Sequence, residues 1–132
     1  MNNRTRKAGF TLLEMTVVIM VLLALMGTGL FVSRQFGDWQ LGRAAAEEVR
    51  SVYAAQRQFL ADHPTAAVNT ITAEQIIPYL ANRSDALPTV ETLDGDMLPI
   101  RVNVSPPVID DGSADGYDPS SSRTDSLWDA GQ

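Results

Sequence analysis

The chain has no cysteine and a single histidine, His63. The first absence excludes disulfides, thiolate metal sites and a cysteine nucleophile together. His63 stands beside Pro64, and neither a Gly-rich phosphate loop nor a Ser-x-Gly nucleophile motif accompanies it. Catalysis is therefore not expected. Lysine is missing after Lys7, and from Arg34 onward seven Arg face fifteen Asp and Glu, a formal charge of −8. So acidic a surface matches nucleic acid poorly, because phosphate backbones are bound through Lys and Arg with counterion release. Nucleic-acid binding is not expected either. No repeat recurs at a period of 20 to 50 residues, and 132 residues leave room for one small domain.

Charge is also missing from one long stretch. Met15 to Ser33 are nineteen residues in a row without an ionisable side chain, and as a helix they extend roughly 28 Å, close to the thickness of a bilayer's hydrocarbon core. A helix apolar on every face needs either a large protein around it or a membrane, and this chain offers no large protein. The spacing predicts a membrane-spanning helix. The rival is a cleaved secretory signal, which also has a basic start and an apolar centre. Its apolar region is shorter, about 7 to 15 residues, and ends in a small-x-small cleavage site, of which "MGTGLFVSRQF" holds only a weak version. Arg4, Arg6 and Lys7 precede the run with no acid among them. That imbalance orients the amino terminus toward the cytoplasm and residues from Arg34 outward.

The segment "KAGFTLLEMTVV" closely resembles the processing site of type IV pilins and of the pseudopilins of type II secretion. In that family a short basic leader ends in Gly, a membrane-embedded prepilin peptidase cuts after it, and the new terminal residue is N-methylated. By position the resemblance makes Gly9 the last leader residue, Phe10 the first mature and methylated residue, and Glu14 the family's acidic assembly residue. It implies an α+β, pilin-like fold: a long N-terminal helix, transmembrane in its first half, with a small antiparallel sheet packed on its second half. It also implies partners, namely prepilin peptidase, copies of the chain itself and other pilin-like subunits, and an inner-membrane assembly platform with its ATPase. The family often carries a Pro late in the apolar segment; here the position is Phe31, and Gly27 and Gly29 lie nearby. Two glycines lower helix propensity by about 1 kcal/mol each relative to Ala, so local loosening and close helix packing both stay open.

Physical chemistry makes the acid intelligible. A carboxylate in the hydrocarbon region costs about 2.5–3.5 kcal/mol on insertion scales, so it normally faces a partner. Cleavage after Gly9 creates an amine on Phe10, four residues before Glu14 and about one helical turn away. Between neighbouring subunits such a pair favours one axial stagger, since other registers leave a buried charge unpaired. The competing reading is an exposed Glu at a helix start, favoured by the helix dipole.

The chain divides into a basic leader (1–9), a transmembrane helix (10–33), an amphipathic extension of that helix (34–63) and a small α+β part with an acidic C-terminal loop (64–132). In the extension, Val49, Val52, Tyr53, Gln56, Phe59 and Leu60 recur at spacings of three and four, and Pro64 ends the helix at "ADHP". "TAEQIIPYL" predicts a short helix with a capping box of Thr72 and Gln75, cut short by Pro78. "VETLDGDMLPIRVNV" predicts a hairpin with Asp94-Gly95 as a two-residue turn and Ile100, Val102 and Val104 on one face; Pro99 points to an edge position or a bulge.

In the tail, Asp111, Ser113, Asp115 and Gly116 fit the first half of a calcium loop, but Ser122 stands where the bidentate Glu belongs. A looser calcium site from Asp110, Asp111, Asp115 and Asp118, as in the acidic ends of major pseudopilins, stays open beside a solvated loop; no other cofactor is expected. Trp128 is expected to pack the tail onto the domain. The expected function is that of a structural filament subunit, a type II secretion pseudopilin first. The alternatives are a surface or DNA-uptake pilin and a membrane-anchored interaction domain that never polymerises. The expected location is the bacterial inner membrane, single-pass, with the C-terminus periplasmic, and then a periplasmic or surface filament.

Overall fold

The computed structural model describes residues 9–131. Its elements are the helix α1 (Leu12–Asp62), a 3-10 turn at Val68–Thr70, the short helix α2 (Ala73–Ile76), a second 3-10 turn at Ile77–Tyr79, and three strands, β1 (Thr89–Glu91), β2 (Met97–Arg101) and β3 (Val108–Ile109). The architecture is the α+β, pilin-like one: a long N-terminal helix and a small antiparallel sheet packed on its later part. The chain separates into two compact units with a boundary between Phe36 and Gly37.

The first unit consists of the early part of α1. Sixteen large apolar side chains between Phe10 and Val32 are each exposed by 45–88%. Its two threonine hydroxyls within the helix are satisfied there, Thr16 Oγ1 donating to the Leu12 carbonyl at 2.8 Å and Thr28 Oγ1 to that of Leu25 at 2.9 Å, which suits a medium without water. Gly27 and Gly29 stay helical, so the loosening considered there does not break the helix, and both present open space where a side chain would stand.

The second unit holds the core. Val49, Val52 and Phe59 of α1 meet Ile76, Leu80, Val90, Ile100, Val102 and Ile109 in one buried cluster. Burying each large aliphatic chain contributes about 1.5–3 kcal/mol. The expected stripe on α1 is present, with Tyr53 and Leu60 half-buried at its margin, and it extends to Gly42, Ala45, Ala46 and Ala55. These residues are small because other chain segments lie directly on the helix there. α1 stops at Asp62, as Pro64 dictates, and His63 stacks on Phe59 with ring centroids 4.5 Å apart. The Thr72–Gln75 capping box forms, Gln75 Oε1 accepting the Thr72 N–H at 3.0 Å, and α2 gives way to a 3-10 turn at Pro78.

The sheet corrects two expectations. β1 and β2 pair as a hairpin with Thr89 opposite Pro99 and Glu91 opposite Met97, but its turn is not a two-residue Asp94-Gly95 turn. Thr92 N–H donates to the Asp96 carbonyl at 2.8 Å and Gly95 N–H to the Thr92 carbonyl at 3.1 Å, leaving a three-residue loop with Gly95 in the left-handed region at φ +87°. A two-residue type I′ turn requires positive φ at both central positions; Gly95 accepts this and Asp94 does not adopt it. The second correction concerns Pro99, which lies in the central strand, the order being β1-β2-β3. Its carbonyl accepts the Asp110 N–H at 2.8 Å, so its nitrogen faces the same side, just beyond the two residues of β3. The missing donor thus falls where that ladder has already ended.

Candidate processing and assembly site

Gly9 and Phe10 are exposed and precede the helix, with irregular backbone through Thr11. The peptide joining them is therefore not locked in helical hydrogen bonds, and exposed non-helical backbone is what a protease can engage. A side chain built at Gly9 would meet open space, and the Phe10 ring is 75% exposed.

The helix begins at Leu12 because Thr11 caps it. Thr11 Oγ1 accepts the Glu14 N–H at 3.2 Å, and its carbonyl accepts the Met15 N–H at 3.1 Å. This makes Glu14 the third helical residue, and "TLLE" has the T-x-x-E spacing of a capping box. Sequence reasoning assigned Glu14 to assembly and passed over Thr11, although that spacing was visible. The exposed Glu14 carboxylate lies in the first turn, where free N–H groups leave partial positive charge. Loss of residues 1–9 would turn the Phe10 nitrogen into an ammonium at that same positive helix end. Glu14 would then be the charge nearest to offset both. While the Gly9–Phe10 bond is intact Phe10 N is a neutral amide, so the electrostatic demand on Glu14 would rise if that bond were cut. Of the expected leader, residues 1–9, the first eight lie outside the described residues.

The tail residues proposed for calcium are dispersed among local turns. Asp110 pairs with the Arg101 guanidinium and accepts the Gly112 N–H at 3.1 Å. The Arg101 hydrogen bond, with the Gly112 N–H behind it, holds the Asp110 carboxyl below the usual carboxylate range. Asp111 accepts the Ser113 N–H at 2.8 Å, and Asp118 accepts from the Ser120 N–H at 3.0 Å and the Ser120 hydroxyl at 2.6 Å, while Asp115 is exposed. Among the described residues no three acidic or histidine side chains come together in a group able to hold a metal ion. The spacing that raised calcium places Asp residues at turns, where their side chains cap the backbone two residues on.

Trp128 behaves as expected. It is 4% exposed, meets Tyr117 edge-to-face at 5.3 Å, and donates its backbone N–H to the Gly42 carbonyl at 3.0 Å. Gly42 permits this approach: a Cβ there would lie 2.7 Å from Trp128 Nε1. Arg50 completes the fastening by donating to the carbonyls of Ser126 at 3.1 Å and Ala130 at 3.3 Å. The sequence reading did not single out Gly42 or Arg50 for this.

No curated protein and no solved structure matches the chain. Residues 4–30 match the family model described as the prokaryotic N-terminal methylation motif. The match covers the Gly9–Phe10 peptide, the Thr11 cap, Glu14 and most of the apolar run. Residues 4–30 thus carry the N-terminal methylation motif, the type IV pilin-like signature, and the exposed Gly-Phe peptide, the Thr11 cap and the acid in the first turn all lie within it.

Proposed function

We propose that the chain is a subunit of a type II secretion pseudopilus: a single-pass inner-membrane precursor with its C-terminus in the periplasm, cut after Gly9, methylated on Phe10 and assembled into a filament through α1. The observation that carries this reading is the capped helix start with Glu14 in its first turn and open backbone at the cleavage position. Sixteen exposed apolar side chains ahead of Ser33 supply the surface that lipid covers in the precursor and neighbouring helices cover in a filament. The acidic second unit, without cysteine, favours a pseudopilin over surface pilins closed by a C-terminal disulfide loop. The partners are the prepilin peptidase, copies of the chain and other pilin-like subunits, and a platform with its ATPase that extracts the helix from lipid.

The test is Glu14→Gln, which keeps a polar side chain and removes the charge. With a prepilin peptidase and a secretion platform co-expressed, the variant is expected to be cut and inserted like the native chain while sheared filaments fall at least tenfold. Filaments of native abundance would overturn the register role.

A further inference from the structure

The β1–β2 hairpin keeps one face uncovered within the second unit. Successive strand residues point to opposite faces: Val90 and Ile100 enter the core, while Thr89, Glu91, Met97 and Pro99 on the other face are all exposed. Met97 is 58% exposed and Leu93, in the loop, 42%. Three acids accompany them, Glu91, Asp94 and Asp96, and no Lys or Arg occurs between Ser84 and Ile100. Among the described residues none of these carboxylates has an ion-pair partner. The loop is held in shape, since buried Thr92 accepts the Asp96 N–H on Oγ1 at 3.1 Å. An apolar and acidic tip of fixed shape thus protrudes with nothing against it.

The complementary surface lies on α1. The Arg57 guanidinium rests over the Tyr53 ring at 5.8 Å, and the residues one turn away on its side of the helix, Tyr53, Ala54, Leu60 and Ala61, carry no charge. The other cations of the second unit have an acid at hand. Arg101 pairs with Asp110, Arg43 and Arg50 have Glu47 within one turn, and Arg83 and Arg123 stand two residues from Asp85 and Asp125. Arg57 is therefore a cation on a weakly apolar patch, matched in charge and in character by the hairpin tip.

The two surfaces cannot meet within one chain. Leu93 N–H donates to the Tyr117 hydroxyl at 3.0 Å, Tyr117 packs on Trp128, and Trp128 N–H donates to the Gly42 carbonyl, so the tip stands at the level of Gly42. Arg57 comes fifteen residues later, roughly 22 Å along the helix. We infer that the hairpin tip of one copy docks on the Arg57 surface of a second copy, with Asp94 and Asp96 toward the guanidinium and Leu93 and Met97 against Tyr53 and Leu60. This deepens the filament reading and rests on it. Two different patches meet in such a contact, so it is heterologous and leaves a tip and an Arg57 surface free at the two ends; repeated, it builds an open row rather than a closed pair. An exposed ion pair alone contributes little. Here the charges select the partner and the register, and the apolar side chains around them supply the buried surface.

The chain has no cysteine, so introduced thiols report this contact cleanly. Leu93→Cys and Ala61→Cys, both at exposed positions, are combined in the full chain, co-expressed with a prepilin peptidase and a secretion platform, and treated with a short bismaleimide. The double variant is expected to give a ladder of dimers, trimers and larger species on a denaturing gel, and each single variant at most a dimer. Added to the double variant, Arg57→Glu is expected to reduce the ladder at least fivefold, and Arg57→Lys to preserve it. Sheared filaments of the native chain, counted from the same cells, separate the premises. Native filaments with no species beyond a dimer in the double variant, or a ladder that Arg57→Glu leaves undiminished, overturn the docking alone. Absence of native filaments overturns the filament reading, and the docking with it.

Discussion

At the scale of single residues, Thr11 and Glu14 have to be considered together. Thr11 sets where the helix starts, and through that it sets both the exposure of the Gly9–Phe10 peptide and the position of Glu14 in the first turn. Replacing a threonine N-cap by alanine costs about 0.5–2 kcal/mol of local helix stability. Thr11→Ala is therefore expected to speed amide hydrogen exchange at residues 12–15 in detergent while leaving exchange in the second unit unchanged; Thr11→Ser is expected to restore it. Glu14 was legible as an anomaly because a lone acid opens a charge-free run. The cap was equally legible by spacing, yet the apolar run drew attention away from the residue that begins it.

At the scale of elements, α1 has two kinds of surface set by different residues. Its early part is apolar all round and its later part has one buried stripe, and the periodicity of Val49, Val52, Gln56 and Phe59 revealed the second. What periodicity did not reveal is how close the rest of the chain comes. Gly42, Ala45, Ala46 and Ala55 are weakly hydrophobic and carry little signal, but they are where the tail and sheet lie against the helix. Gly42→Ala puts a methyl group 2.7 Å from Trp128 Nε1; overpacking of this kind costs about 1–3 kcal/mol. Chemical denaturation of the full chain, followed through the Trp128 environment, is expected to show that loss. Gln56 is the buried exception in the stripe. Its Nε2 donates to the Val102 carbonyl at 2.8 Å and the Val104 carbonyl at 2.7 Å, just after β2 ends. It thereby stands in for the strand that is missing there. Gln56→Leu keeps roughly the volume and removes the buried Gln56 Oε1, which has no partner among the described residues, but it strands the buried Val102 carbonyl and the part-buried Val104 carbonyl, at about 1–3 kcal/mol for an unsatisfied buried group, and is expected to lower the denaturation midpoint. The hairpin itself was legible from alternation around Asp94-Gly95, but its register was not, because the three-residue loop sets Glu91 opposite Met97 where a two-residue turn would set Glu91 opposite Leu98; the two-residue β3 was too short to announce itself beside Pro106 and Pro107.

At the scale of the whole molecule, the charge split between a basic leader and an acidic remainder is the feature composition showed best. It underlies the expected orientation and the expectation that nucleic acid is not a partner. The acids also give the second unit a pH dependence. Asp110 has its carboxyl held low by Arg101; its folded state releases the proton more readily than its unfolded state, so its contribution is present above the ordinary aspartate pKa and lost as pH falls through the depressed value. Asp129 works in the opposite sense, burial raising its carboxyl, so its contribution is greatest at low pH and declines as pH rises. Acid denaturation of Asp110→Asn is therefore expected to show a weaker fall in stability at low pH than the native chain, and Asp129→Asn a steeper one.

The central claim is that the opening residues are an unfinished site, completed when the Phe10 amine appears next to Glu14. The most direct test is the intact mass of the membrane-extracted chain with and without a co-expressed prepilin peptidase. Loss of residues 1–9 with one methyl group on Phe10 is the predicted result. A chain that keeps its leader, or is cut at any other peptide bond, would contradict it.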